Sequence, residues 1–401
     1  MNAPTMVLAR QPILTADGEL FGYELLYRGE RLDAAADAGM TQSARVLCEG
    51  LGTLGLDHLV GSARVFVNFD QSLLETDLAA VLPPGQGVVE ILETVEPTAR
   101  VFETLDRLRR SGISVALDDF LFQPNVMPFL PYVEFVKVDV LAASDELGAV
   151  ARRLQGHNVS LIAEKVETYE QVERCRALGF QFFQGYFFAR PEGINTRRVG
   201  ASEMGVVSLI GELQKPESEA KEIAERVGTD LALVHQILKL ANSAAYRRRR
   251  SVESIVDAVV LLGQDVIRQW ASLLLLSRLG DHKPSELLAL ALVRGRMCQA
   301  LGAAHRELGS SELFTVGLLS VLDALLDRPM QDLVAELPLS QLLRDALCGQ
   351  SSSRLGVVLR RTIAHEGANW SDLGPLTAEE ETRLMKTYVN ATQFARLALG
   401  A

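Results

Sequence analysis

The stretch Val115-Ala116-Leu117-Asp118-Asp119-Phe120 constrains this chain more than any other. An apolar run without helical spacing follows Gly112 and stops at two adjacent carboxylates. It reads as a short buried strand with both acids at its C-terminal tip. Two acids in such a place are costly unless a positive charge sits between them. A hard, oxygen-preferring ion such as Mg²⁺ or Mn²⁺ would supply that charge, and a phosphate ester could share the ion. Asp is also a favoured helix N-cap, so an Asp pair that caps a helix or faces water is the other reading, and the pair alone leaves both open.

The neighbouring sequence narrows the choice. Strands are expected at 6–14, at 20–28 after the turn Asp17-Gly18, and at 64–69, 87–92, 113–117, 135–138, 160–163 and 180–183. Helices are expected at 43–54 and at 98–111, the second with Val101, Leu105 and Leu108 turned inward. Strands alternating with helices predict a mostly parallel sheet, and this number of units suits a closed, TIM-like α/β barrel with its site at the C-terminal strand ends. Polar residues recur at those ends: Glu24, Asn68, Glu90, Asp118 with Asp119, Lys137 with Asp139, Glu164 and Gln184. One such residue is an ordinary solvated strand end. The whole series is what a two-metal phosphodiesterase needs, because carboxylates and an amide hold hard cations and a lysine offsets charge or orients the attacking water.

Past this region the strand signal disappears. Residues 193–203 turn to Gly, Asn, Thr and Arg and read as a linker. Helical periodicity with Leu/Ala seams then predicts an all-α domain over 204–401, behind a barrel domain over 1–192. The length of 401 residues agrees with two domains, and 48% hydrophobic and 23% charged residues with ordinary cores. A net charge of −11 argues against a general nucleic-acid footprint. Cys48, Cys175, Cys298 and Cys348 lie far apart with no CxxC pair, as in a reduced cytoplasmic protein. Residues 1–14 lack the pattern of a signal peptide, and the apolar run 270–276 is too short to span a bilayer, so no membrane partner is expected. Arg247 to Arg250 is the sharpest basic run; it fits either an acidic partner, nucleotide or RNA, or a solvated loop.

The barrel half resembles the EAL domain, the bacterial cyclic-di-GMP phosphodiesterase module. The resemblance rests on Gln11-Pro12-Ile13, Glu24-Leu25-Leu26-Tyr27-Arg28, Asn68, Glu90-Ile91-Leu92-Glu93, Asp118-Asp119-Phe120, Lys137-Val138-Asp139, Ala163-Glu164-Lys165-Val166-Glu167 and Gln184-Gly185-Tyr186 with Pro191. It spans residues 6–191. It implies that Glu24, Asn68, Glu90 and Asp118 bind one metal, and that Asp118 and Asp119 hold or bridge to a second. Lys137 and Glu164 would position or deprotonate the nucleophilic water. Arg28 and Gln184, with Gln11, Asp139 and Glu167, would contact the dinucleotide, and Glu93 would brace the loop after the Asp pair. Two departures stand out. The family follows D-D-F with a Gly-rich turn, where this chain has Leu121-Phe122-Gln123-Pro124-Asn125, and Leu and Phe resist the φ > 0 that Gly permits. The middle of the family's A-E-G-V-E is Lys165 here.

The helical half resembles an HDOD domain, through Thr229-Asp230, Leu240-Ala241-Asn242-Ser243-Ala244, and Ser251-Val252-Glu253-Ser254-Ile255 followed by Ala258 and Leu261-Leu262-Gly263. None of His58, His157, His235, His282, His305 and His365 precedes an Asp, so the dipeptide of HD hydrolases is missing. Together the halves resemble the EAL–HDOD (YuxH-type) bacterial signalling proteins. The resemblance implies a cytoplasmic protein that binds and slowly hydrolyses cyclic-di-GMP to linear pGpG with Mg²⁺ or Mn²⁺. Its HDOD domain would bind a protein partner, with a homodimer as one admissible assembly. The alternative is a catalytically inactive receptor or scaffold acting through protein–protein interaction.

Overall fold

Val, Ile and Phe dominate the stretches expected as strands, and each becomes one. In the computed structural model, β1 (Met6–Thr15), β2 (Leu20–Gly29), β3 (Arg64–Phe69), β4 (Gly87–Ile91), β5 (Ser114–Leu117), β6 (Phe135–Asp139), β7 (Ser160–Glu164) and β8 (Phe182–Gln184) close into a barrel in chain order. The structure describes residues 6–29, 56–76, 78–143, 146–192, 201–213, 219–242, 252–279, 283–305, 307–350, 353–374 and 376–399. The helix expected at 43–54, most of the linker and Arg247 to Arg250 lie outside the described residues.

Strands β2 to β8 run parallel, whereas β1 is antiparallel to both β2 and β8. The β1–β2 turn explains the reversal. Gly18 takes φ 79° there, and the Thr15 amide donates to the Glu19 carbonyl at 2.8 Å. A link this short can only return the chain antiparallel, since a parallel neighbour needs a crossover of a dozen or more residues. Such crossovers follow later. Ala99–Arg110 is capped by Thr98 and buries Val101, Leu105 and Leu108, the inward set expected from its spacing. Tyr169–Ala177 opens with a capping box between Thr168 and Gln171.

The barrel interior is layered. Ile13, Phe66, Val88, Ala116, Phe135 and Ile162 form one apolar layer, closed by Phe21 stacked on Phe182 with centroids 3.8 Å apart. Gly22 makes room for Phe66, because a Cβ there would meet the ring at 3.1 Å and the Arg64 carbonyl at 2.9 Å. On the parallel strands a polar residue lies two positions beyond each apolar one: Phe66 to Asn68, Val88 to Glu90, Ala116 to Asp118, Phe135 to Lys137, Ile162 to Glu164, and Phe182 to Gln184. Strand side chains alternate with period two. Every residue of the second layer therefore shares the interior with the first, one storey nearer the C-terminal end.

The chain divides into two compact units, residues 1–190 with 364–401 and residues 191–363. Residues 364–401 thus group with the barrel and not with the helices before them, where their periodicity had placed them. Helix Ala378–Leu399 buries Leu384, Tyr388, Ala391 and Ala395 along one stripe. The Arg10 amide of β1 donates to the Tyr388 hydroxyl at 3.1 Å, and Arg396 donates to the Asp57 carbonyl of the short helix Leu56–Val60. Helical spacing reveals that a face is buried, and the surface it meets is set by tertiary packing.

His365 lies in the same unit, fully buried beside Tyr388 and Trp370, with ring centroids at 4.7 and 5.9 Å. Neither ring nitrogen has a hydrogen-bond partner. Burial pushes the imidazole down from 6.5 to about 3. Below pH 6.5 the unfolded chain binds a proton that the folded chain refuses, so stability falls as the pH drops from 6.5 toward 3. Urea titrations between pH 7.5 and 4.5 should show a loss approaching 1.4 kcal/mol per pH unit from this residue. His365→Leu should flatten that slope; an unchanged slope would remove His365 as its source.

The second unit is helical, with Ala201–Leu213, Ala220–Gly228, Leu231–Ala241, Ile255–Leu262, Gln264–Ser277, Ser285–Gly302, Ser310–Leu319, Leu322–Leu326, Met330–Glu336 and Gln341–Leu347 among its helices. The motif residues have local tasks. Asp230 caps Leu231–Ala241 by accepting from the Leu233 amide at 2.9 Å, and it pairs with Arg278. Ser254 caps the next helix, and Gly263, at φ 86°, turns the chain through 118° into the one after. Gly317 lets Ser285–Gly302 and Ser310–Leu319 approach closely, since a Cβ there would sit 2.4 Å from the Arg294 carbonyl oxygen. Among the described residues no single helix is long and apolar enough to cross a membrane.

Candidate active site in the barrel mouth

The polar storey of the barrel centres on Lys137. Its Nζ is buried and lies 2.8 Å from Glu90 Oε1, 2.8 Å from Glu164 Oε1, 3.0 Å from Glu24 Oε2 and 3.1 Å from Asp118 Oδ1. An ammonium has three protons and one charge, so it cannot satisfy four carboxylates. Two amides add donors to one of the four, Glu24. Asn68 Nδ2 donates to Glu24 Oε1 at 2.8 Å, and Gln184 Nε2 donates to Glu24 Oε2 at 2.6 Å and to Gln11 Oε1 at 2.9 Å. Glu24, Asn68, Glu90, Asp118, Lys137, Glu164, Gln184 and Gln11 are therefore brought to one mouth.

The excess of negative charge shows in the protonation equilibria. Burial, with Glu24 and Asp118 nearby, drives the Glu90 carboxyl well above its ordinary range despite Lys137. Burial likewise pushes Glu164 up to about 8 and raises Asp118. Glu24 goes the other way: burial opposes its ionisation, but the Lys137 charge and the donors on Gln184, Lys137 and Asn68 hold it below the usual value. Lys137 itself would be lowered by burial, yet the four carboxylates, Glu164 first, keep it firmly protonated.

A second group sits beside the first. Lys165 Nζ is 2.5 Å from Asp139 Oδ2 and 3.7 Å from Asp119 Oδ1. Asp139 Oδ1 accepts from the Leu141 and Ala142 amides at 2.8 and 3.1 Å. Asp119 and Lys165 both take left-handed backbone angles, φ 42° and 55°. The loop after the Asp pair does so as well. Phe122 adopts φ 52° although a bulky side chain disfavours it, whereas Leu121 keeps φ negative. The Phe122 ring packs edge-on against Phe120 at 4.8 Å, and the Arg153 guanidinium lies over it at 3.7 Å. These contacts offset the backbone cost.

Two expected site residues lie elsewhere. The Glu93 side chain is exposed, and its backbone carbonyl accepts from Asn125 Nδ2, in the loop after the Asp pair, at 3.0 Å. Glu167 is exposed and pairs with Arg190 at 3.0 Å. The side chain of Arg28 lies outside the described residues. Lys165, which the sequence marked only as a departure from a Gly position, is the added member. The signal that could have found it is that same substitution, a cation placed one residue after Glu164.

The donor set suits a divalent cation. Asn68 Oδ1, Glu90 Oε2 and Gln184 Oε1 are buried without a hydrogen-bond donor, and buried oxygens of this kind favour a hard ion. The carboxylates are gathered on the Lys137 ammonium, and among the described residues no three His, Cys, Asp or Glu side chains are arranged to hold a metal ion by themselves. An ion held by Glu24, Asn68, Glu90 and Asp118 would therefore share these oxygens with Lys137.

An eight-stranded barrel with one reversed strand and an acidic mouth around a buried lysine is joined here to a helical unit, and both halves match known domains. Residues 68–191 match the EAL domain and residues 204–338 the HDOD domain. The cyclic di-GMP phosphodiesterase CdgJ of Vibrio cholerae is 37% identical over 376 residues, which cover 91% of this chain and 86% of that protein. YuxH of Bacillus subtilis, an uncharacterised protein, is 31% identical over 98% of this chain and 99% of its own length. A solved structure described as the PaMucR phosphodiesterase in complex with c-di-GMP is 23% identical over 47% of this chain and 97% of that one, with a TM-score of 0.40. The chain belongs to the EAL–HDOD family of bacterial signalling proteins.

Proposed function

We propose that the barrel binds cyclic-di-GMP and hydrolyses one of its phosphodiester bonds to give linear pGpG, with Mg²⁺ or Mn²⁺ as cofactor. The observation that carries this reading is the Lys137 ammonium set among Glu24, Glu90, Asp118 and Glu164. A buried cluster this acidic repels a phosphodiester unless a cation is bound, and with one it becomes a phosphodiester site. The 37% identity to a protein described as a cyclic di-GMP phosphodiesterase supports the same substrate.

Glu24, Asn68, Glu90 and Asp118 would hold the ion. The bound ion supplies Lewis-acid stabilisation of the phosphate oxygens and a more acidic water. Lys137 keeps its proton and orients the carboxylates around it. Glu164, in its ionised form beside Lys137, would accept a proton from the attacking water. Gln184, which donates to both Glu24 and Gln11, and Gln11 would face the substrate. The helical unit serves as the output module that binds a protein partner.

The test is purified protein with cyclic-di-GMP and either metal. Linear pGpG should form, and faster with Mn²⁺ than with Mg²⁺, because the Leu121-Phe122 loop is not the Gly-rich turn of the resembled motif and Mn²⁺ tolerates looser ligand geometry. Asp118→Asn should abolish product while the far-ultraviolet dichroism stays unchanged. Phe122, held at φ 52° by Arg153, favours a second reading in which the barrel binds the dinucleotide as a receptor. Tight binding without product would select the receptor, and neither binding nor product would leave only a scaffold.

A further inference from the structure

The Asp118-Asp119 pair is shared between two lysines. Lys137 of β6 faces Asp118 at 3.1 Å, and Lys165, just beyond β7, faces Asp119 at 3.7 Å and Asp139 at 2.5 Å. Resting on the reading above, we propose that Lys165 is a tethered cation that occupies the Asp119 side of the site, so that the barrel binds a single divalent ion on its Glu24–Asn68–Glu90–Asp118 side and excludes a second.

Three observations support this. The Lys165 backbone has φ 55°, a left-handed conformation that L side chains adopt at a cost, so a lysine here is held against its own preference. Its side chain reaches Asp139, whose carboxylate is mostly buried and whose other oxygen is fixed by two backbone amides. Asp139 is thus aimed at Lys165 and anchors it beside Asp119. Finally, the charges divide unevenly. Lys137 is outnumbered by four carboxylates, and buried oxygens on Glu90 and Asn68 lack donors, whereas Lys165 is paired with two carboxylates, Asp119 and Asp139. The need for an external cation is concentrated on one side. A divalent ion on the other side would have to displace an ammonium that is covalently attached and present at high effective concentration. Adjacent carboxylates such as Asp118 and Asp119 demand positive charge on both flanks, and this chain carries one of those charges itself.

The experiment counts metal directly. Full-length protein is loaded with Mn²⁺ and examined by native mass spectrometry and electron paramagnetic resonance. Wild type should bind one Mn²⁺ in the barrel with the spectrum of an isolated ion. Lys165→Gly removes the cation and relieves the backbone, and should bind two with a spin-coupled spectrum. Lys165→Met removes the charge while keeping the bulk, and should also gain a second ion if charge is what excludes it. Two coupled ions in wild type, or one ion in both variants, would overturn the proposal. Product formation from cyclic-di-GMP, followed in the same samples, tests the phosphodiesterase reading separately. A one-to-two change without turnover keeps the Lys165 assignment and removes that reading. Turnover with two ions in wild type does the reverse.

Discussion

Replacing Lys137 with methionine is expected to reduce hydrolysis of cyclic-di-GMP by about 10²–10⁴-fold and to destabilise the metal-free protein by about 3–5 kcal/mol. Methionine nearly matches the volume of lysine, so the barrel interior stays filled. What is lost is, among the described residues, the one cation facing Glu24, Glu90, Asp118 and Glu164 together, all within 3.1 Å of Nζ. Lys137 is fully buried, so water cannot take its place cheaply. The carboxylates must then protonate or draw in a cation, and added Mn²⁺ should restore much of the stability without restoring turnover. Urea denaturation in EDTA and in Mn²⁺ separates the two effects. A variant as stable as wild type in EDTA would show that the ammonium does not hold this layer together.

Gly185→Ala should be nearly as damaging, although the residue carries no chemistry. Gly185 has φ 150°, and a Cβ there would lie 2.0 Å from the Val166 carbonyl oxygen and 2.5 Å from the Val166 amide nitrogen. That backbone is already engaged: the Val166 amide donates to the Gln184 carbonyl at 3.0 Å, and the Phe187 amide to the Val166 carbonyl at 3.2 Å. Alanine must break one of these bonds and move Gln184, which donates to Glu24 and Gln11. A loss of about 3 kcal/mol follows from strain and the broken pairing, together with weaker binding of cyclic-di-GMP. Gly179→Ala is the control. Gly179 also has positive φ, at 95°, but nothing lies within 4 Å of its Cβ position, so about 1–2 kcal/mol should be lost with binding intact. Equal losses at the two positions, in calorimetry and in nucleotide titration, would mean that the close approach to Val166 is unimportant.

Strand periodicity made most of the site legible. Because side chains alternate along a strand, Asn68, Glu90, Lys137, Glu164 and Gln184 each follow an apolar interior residue by two positions, and their convergence needs nothing more than a closed barrel. Glu93 and Glu167 fall outside this layer for a related reason. They stand just beyond strands, where alternation no longer sets direction, and their side chains turn to solvent and to Arg190.

The amino-acid order alone determined the alternation of strands and helices, the change to an all-helical pattern after about residue 200, and the acidic tip at Asp118 and Asp119. These are local properties of side-chain period, turn chemistry and composition, so they can be read without knowing what lies across the barrel. Tertiary structure decided the rest. Helix Ala378–Leu399 has an amphipathic stripe that would suit any apolar surface, and only packing assigns it to β1 through Tyr388 and Arg10. Lys165 looked like a foreign residue at a glycine position. Only the closed barrel brings it to Asp119 and Asp139, residues 46 and 26 positions earlier in the chain, because an ion pair between distant residues depends on where the backbone carries them.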